Sequence, residues 1–392
     1  MPGAYEKPPF IPLSVPVIQG NEWRYVKDCL DTGWVSSVGS YVTRFERDIA
    51  AFVGAPHAVA CVNGTAALQI ALQIAGVEPG EEVIVPTITF IATVNAIHYV
   101  GATPVFMDCD RYYNIDVEKT LDFLDKCVVV RDGFPWNKTS KRRIAALMAV
   151  HVFGNAVDLP PLMAACRKLN IPLVEDACES LGTYYTAGSL AGKHTGAVGD
   201  IGCFSFNGNK IVTCGGGGMI VTSDAALASR ARYLTTQAKD DDVRFVHHEV
   251  GYNYRLTNLQ AAVGVAQLEQ IQNFISTKKR NFLLYRVGLA DTPGLSLGDP
   301  PPYANCNMWL YCLQIQQEHY GADRDAVMAH LADGGVQTRP VWYLNHMQRP
   351  YAACESYHIE RACSLYECTL NLPSSSNLSH IDIERILGYL TK

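Results

Sequence analysis

No two of the 13 cysteines stand at C-x-x-C spacing; they are scattered singly from Cys29 to Cys368. The pattern excludes a zinc ribbon or a thioredoxin-type motif and leaves free thiols in a reducing compartment as the expectation. Positive charge is also short. The 32 Lys and Arg against 38 Asp and Glu leave a net charge of -6, without the basic field that nucleic-acid binding needs. No apolar run reaches the roughly 18 residues needed to span a bilayer. The first residues, "MPGAYEKPPFIPL", hold no signal-type apolar segment, so the expected location is the cytoplasm. The histidines form no ligand cluster, and no metal is expected. The serine-hydrolase elbow G-x-S-x-G is missing, and "GGGGMI" does not fit a G-x-G-x-x-G dinucleotide frame. "GSLAGKHT" (188–195) is one residue short of a P-loop and carries His194 where Ser or Thr is required.

What is present is an ordinary globular composition, 48% hydrophobic and 18% charged, over 392 residues. That length suits one large domain with a smaller one attached. Short apolar runs at 81–86, 103–108, 144–152 and 171–176 read as buried strands. Amphipathic stretches such as 65–77 and 158–170 lie between them. The alternation predicts an α/β fold with a mostly parallel central sheet between helices. After about residue 260 the pattern changes. Residues 257–290 read as one long helix, or two in line, capped by Thr257. Residues 292–305 read as a loop, 309–315 as a strand, 323–335 as a helix closed by glycine, and the C-terminus as a further helix. The expected division is a large α/β domain over 1–260 and a smaller α+β domain over 261–392.

Four short stretches carry chemistry. In "VNGTAALQIAL" a turn opens a helix. Gly64 allows close backbone approach, Thr65 suits the cap, and the helix N-terminus favours a phosphate; a plain turn and cap is the alternative. In "IPLVEDACESLG" Asp176 ends an apolar strand, where open α/β sheets place ligands. A carboxylate there either caps the next helix or pairs with a protonated group. In "SFNGNKIVTCGGGGMI" Lys210 stands between small polar residues and four glycines. The flanks are apolar, and in such near-neutral, glycine-rich surroundings an amine tends to lose its charge and become nucleophilic; a lysine on a surface loop is the alternative, although such a loop needs no run of four glycines. In "GYNYRLTNLQAA" Asn253 and Arg255 precede the long helix, where simple capping is the alternative.

Taken in order, these stretches resemble the fold-type-I pyridoxal-phosphate aminotransferases. Specifically, the chain resembles the DegT/DnrJ/EryC1/StrS family of nucleotide-sugar aminotransferases, from "LDTGWVSSVGSYVTRFE" (30–46) to "TRPVWYLNHMQRPY" (338–351). "SFNGNK", "GGGGMI", "TTQAKDD" and "HEVGYNYRLTN" are similar to the branch that makes 4-amino sugars for legionaminic acid and bacillosamine. The resemblance implies a seven-stranded type of central sheet and pyridoxal 5'-phosphate as cofactor, with pyridoxamine 5'-phosphate during turnover. It implies that Lys210 bonds the cofactor and that Asp176 holds its ring nitrogen. Gly64, Thr65 and Ser205 would hold the phosphate, with Ala66 lining the turn and Asn253 reaching in from a second subunit. Phe90 would stack on the ring. Glu179 stands where many relatives have Gln or His, so it must be protonated or face a donor to serve there. Trp34, Arg339 and His346 match positions near the sugar.

The implied reaction moves the amino group of L-glutamate, leaving 2-oxoglutarate, to C4 of a nucleotide-linked 4-keto-6-deoxy sugar in a homodimer with shared sites. The expected substrate is UDP-2-acetamido-2,6-dideoxy-hexos-4-ulose. A 3-keto sugar nucleotide is the alternative within the family. A dehydratase branch has His in place of the lysine, which Lys210 disfavours. A nucleotide-sugar oxidoreductase lacks its fingerprint here, and a silent scaffold would not need Lys210 with Asp176.

Overall fold

The computed structural model describes residues 9–241 and 243–391; most of the N-terminal stretch discussed above, 1–8, lies outside them. Its main sheet has eight strands in the order His57–Cys61, Gly218–Thr222, Ile201–Ser205, Leu173–Asp176, Ile144–Val150, Glu82–Pro86, Thr103–Met107, Ser356–Tyr357. Gly218–Thr222 pairs antiparallel with both neighbours, and every other adjacent pair is parallel. The four runs read as strands therefore lie side by side, with Ile144–Val150 buried along its whole length. The sheet gains an eighth strand because the late segment Ser356–Tyr357 adds to its edge.

Alternation along His57–Cys61 shows why helices cover both faces. Ala58 and Ala60 point into a cluster with Phe45, Ile49 and Val265, while Val59 and Cys61 point into another with Leu68, Ile70 and Ala231. Side chains of successive strand residues face opposite ways, so a strand buried on both sides is apolar throughout. All thirteen cysteines are unpaired, and eight are buried.

The stretch 257–290 forms two helices, Asn258–Leu268 and Ile271–Gly288. Thr257 caps the first in a reciprocal box with Gln260. The break falls at Glu269 and Gln270, where the Glu269 carboxylate accepts hydrogen bonds from Asn21, Tyr25 and Arg44. The stretch expected as a loop, 292–305, contains two short strands, Leu295–Leu297 and Ala304–Asn305. The first joins Tyr311–Ile315, Thr369–Leu372 and Arg339–Pro340 in an antiparallel sheet. The partners come from far along the chain, which is why local residues did not reveal the strand. Phe282, Tyr285, Tyr311, Leu370 and Ile386 form the core beside this sheet. Among the described residues no helix is long and apolar enough to cross a membrane.

One carboxylate joins the edge of the main sheet to a late helix. Asp108 follows Thr103–Met107, and its side chain is fully buried. It accepts hydrogen bonds from the N–H groups of Glu360, Arg361 and Ala362 at 2.8–3.1 Å and from Lys119 at 2.7 Å. It thus caps the helix Arg361–Cys368. Burial by itself would raise this carboxyl, but Lys119 and those N–H groups outweigh it and hold it below its ordinary 3.8. The stabilisation is present above that value and is lost as pH falls below it. Asp108→Ala leaves the buried Ala362 N–H and three part-buried donors without an acceptor and is expected to cost about 3 kcal/mol in urea unfolding at pH 7. A loss below about 1 kcal/mol would contradict this account.

Candidate active site

The site lies at the C-terminal ends of the parallel strands. A cavity of about 320 Å³ opens there, lined by Gly64, Thr65, Phe90, Asp176, Glu179, Ser205 and Lys210 among others. Seven residues selected from separate stretches of sequence are therefore brought to one wall. The helix Gly64–Ile74 meets the cavity with its first turn, where the helix dipole favours an anion. The cap of that helix is Asn63, not Thr65. Asn63 is extended, and its side chain accepts from Ala66 N–H at 2.7 Å, while Thr65 is the second helical residue. Ala66 is buried behind the wall.

Glycine is needed where the backbone is approached too closely for a side chain. A Cβ on Gly64 would lie 2.9 Å from Ser205 Cβ, and one on Gly218 would lie 2.4 Å from the Asn63 carbonyl oxygen. The glycine run after Lys210 thus lets the strand Gly218–Thr222 pass against the turn that opens the helix.

Asp176 is 4% exposed. Thr93 Oγ1 donates to its Oδ2 at 2.6 Å, and Cys178 N–H donates to its Oδ1 at 3.1 Å. These bonds fix the carboxylate while it faces the cavity. Lys210 Nζ lies 3.5 Å from Glu179 Oε1 and 3.9 Å from the centre of the Trp309 indole. Its neighbours are a carboxylate and an aromatic face, not the apolar near-neutral surroundings expected from the sequence. Sequence reading could not anticipate this, because Trp309 is 99 residues further on (309 − 210).

Glu179 Oε2 accepts Phe153 N–H at 2.8 Å. Phe153 has φ 56°, an uncommon conformation for an aromatic residue. Its ring stacks on Trp342, which also lines the cavity, at 4.8 Å. Burial pushes the Glu179 carboxyl up to about 7, against the opposing pull of Lys210 and the Phe153 N–H. Glu179 thus has a donor facing it and holds its proton up to about neutrality. Folded protein binds this proton more tightly than unfolded chain, so stability falls as pH rises from 4.5 to about 7. Between pH 5 and 7 the cofactor-free chain is expected to lose about 2 kcal/mol relative to Glu179→Gln, measured by urea unfolding at those two pH values. Parallel curves for the two proteins would refute it.

Besides Ala66, four candidates do not reach the cavity wall within one chain. Asn253 is exposed on a loop, bridged to Thr236. Trp34 is exposed beyond the first helix, and its carbonyl accepts from Asn258. Arg339 is exposed on the small sheet and donates to the neighbouring Thr338 carbonyl. His346 is half-buried, with Nδ1 2.8 Å from Thr87 Oγ1, and burial pushes it below its ordinary value. Arg255 is taken up by Glu46 at 2.7 Å. His194 of the P-loop look-alike is buried and accepts Gly182 N–H, consistent with a structural role.

Sequence reading missed Thr93, Cys178, Asn207, Asn209, Trp309 and Trp342 on the wall. Thr93 alone left a signal: it stands one helical turn after Thr89, to which it bonds at 2.9 Å, beside the selected Phe90.

Residues 16–391 match the DegT/DnrJ/EryC1/StrS aminotransferase family. The chain belongs to that family. It is 38% identical over 391 residues to the GDP-perosamine synthase of Caulobacter vibrioides, covering 97% of this chain and 98% of that protein. A crystal structure of DesI in the presence of its TDP-sugar product superposes with a TM-score of 0.85 at 30% identity, over 100% of this chain and 94% of that one. The aminotransferase TlmJ from Streptoalloteichus hindustanus gives 0.87 at 27%, over 98% of each. The chain is thus a pyridoxal-phosphate-dependent aminotransferase. The residues present suit that group: an oriented carboxylate, an amine and an anion-favouring helix end share one cavity.

Proposed function

We propose that this aminotransferase moves the amino group of L-glutamate to C4 of a nucleotide-linked 4-keto-6-deoxy sugar, releasing 2-oxoglutarate. The first substrate to test is UDP-2-acetamido-2,6-dideoxy-hexos-4-ulose. Its product, a UDP-linked 4-amino-4,6-dideoxy-N-acetylhexosamine, would serve surface glycans of the legionaminic acid or bacillosamine type. The observation that carries the reading is the convergence of Lys210, Asp176 and the Gly64 helix end on one cavity.

Bound cofactor supplies an electron sink and carries the amino group between half-reactions. Asp176, held by Thr93 and the Cys178 N–H, keeps the ring nitrogen protonated. Gly64, Thr65 and Ser205 bind the phosphate, Ala66 backs that turn, and Phe90 covers the ring. Lys210 bonds the cofactor at rest. Freed from that bond, the Lys210 amine would be placed to serve as base and then acid for the proton of the donor Cα. Glu179 binds beside the ring hydroxyl. In a homodimer, Asn253 reaches the phosphate of the second subunit, while Trp34, Arg339 and His346 serve the sugar nucleotide.

A GDP-linked 4-keto-6-deoxyhexose is the second reading, favoured by the 38% identity to a GDP-perosamine synthase over nearly the full length of both chains. Purified protein incubated with glutamate and each keto sugar nucleotide, read by 2-oxoglutarate release, tests both. Release with the UDP-linked acetamido sugar is expected, preference for the GDP-linked sugar selects the second reading, and a 3-keto preference rejects both.

A further inference from the structure

Trp309 is 3% exposed and precedes the strand Tyr311–Ile315. Four hydrogen bonds from four separate segments hold it. Its N–H donates to Asn307 Oδ1 at 3.0 Å, and its indole Nε1–H donates to the Asn209 carbonyl at 2.8 Å. Its carbonyl accepts from Ser374 Oγ at 2.9 Å and from Lys278 Nζ at 3.1 Å. Lys278 is itself 3% exposed, and its other hydrogen bonds go to the Ser374 carbonyl and hydroxyl. Placing an ammonium group in the interior is costly, and here it serves to pin the main chain at Trp309. The reading of Lys210 as cofactor lysine makes no use of either residue.

The pinned indole presents its face to Lys210 Nζ at 3.9 Å, while Glu179 Oε1 lies 3.5 Å from the same nitrogen. We propose that Trp309 is a positioning residue for Lys210: its face confines the free amine toward the cavity, and Lys278 holds the indole in place. This rests on the proposed role of Lys210. A lysine side chain has four rotatable bonds and loses considerable freedom when confined. An aromatic face attracts the cation without forming a fixed hydrogen bond, so the amine stays movable. Without that face, Glu179 is left as its close partner and draws it away from the approach to a bound aldehyde.

The test is capture of pyridoxal 5'-phosphate by the full chain stripped of cofactor, followed by visible absorbance. In capture the amine nitrogen bonds the aldehyde carbon and the aldehyde oxygen leaves as water. Trp309→Leu is expected to slow capture about tenfold, and Trp309→Phe, which keeps a ring face, by less than about threefold. Lys278→Met, outside the cavity wall, is expected to slow it about threefold. Thermal unfolding of each variant shows that it is folded. A wild-type capture rate in Trp309→Leu, or equal slowing in the Phe and Leu variants, overturns the positioning role. A wild-type rate in Lys278→Met overturns the anchor. Borohydride reduction and peptide mapping separate this from the underlying reading: an adduct elsewhere than Lys210 in the wild-type chain removes the proposed role of Lys210 itself.

Discussion

Lys210→Ala is expected to lower amino transfer from L-glutamate at least about a thousandfold, since both the covalent attachment and the proton transfers are assigned to one amine. The visible band of the covalently held cofactor should vanish with it. The fold should survive. The Lys210 amine has a 3.5 Å approach to Glu179 and a 3.9 Å approach to the Trp309 indole, and the Glu179 carboxyl, pushed up to about 7 with Lys210 present, moves further up when the lysine is removed. Unfolding free energy should therefore change by less than about 1 kcal/mol. Turnover in Lys210→Ala within tenfold of wild type, in protein shown by mass to carry the substitution, would end the assignment. Lys210→Arg should be nearly as inactive, because a guanidinium keeps the charge but does not deprotonate to a nucleophile.

The second large effect concerns stability. Glu175 is the residue before Asp176, and strand alternation turns its side chain to the opposite face. Both it and His151 are fully buried. His151 Nδ1 accepts Val157 N–H at 3.1 Å, so Nε2 carries the proton and donates to Glu175 at 2.8 Å. The same carboxylate accepts N–H bonds from Gly196, Val198 and Gly199. Burial would raise its proton affinity, but His151 and these donors prevail and hold it below its ordinary 4.5. Its stabilisation is therefore present above that pH and is lost as pH falls through the depressed value. Glu175→Ala leaves four donors without an acceptor, those of His151 and Gly196 buried and those of Val198 and Gly199 part-buried, and is expected to cost about 3 kcal/mol by urea unfolding at pH 7. Glu175→Gln, which keeps an acceptor oxygen, should cost less. Equal losses for both variants would show that shape alone, and not the donor set, supports the turn.

The candidate site was legible to the extent that its chemistry sits at element ends. Gly64 opens a helix, Asp176 ends a strand and Lys210 precedes a glycine run, and each sits in a local pattern that one stretch of sequence displays. Thr65 was given the capping role because both Asn and Thr suit it; only the extended backbone of Asn63 decides between them. The strand at Leu295–Leu297 was hidden among glycine and proline, because its pairing partner at Tyr311–Ile315 lies beyond a 13-residue connection (311 − 297 − 1).

By itself, the order of apolar runs determined a parallel sheet between helices, because buried strands must be apolar on both faces. The placing of Gly64 and Asp176 at element ends pointed to residues that line the cavity, because strand and helix ends are where such sheets leave backbone groups free. The tertiary structure alone decided the surroundings of Lys210. Glu179, Trp309 and the buried Lys278 meet there across as many as 130 positions of sequence (309 − 179), and contact between residues so far apart is set by packing that no local pattern records.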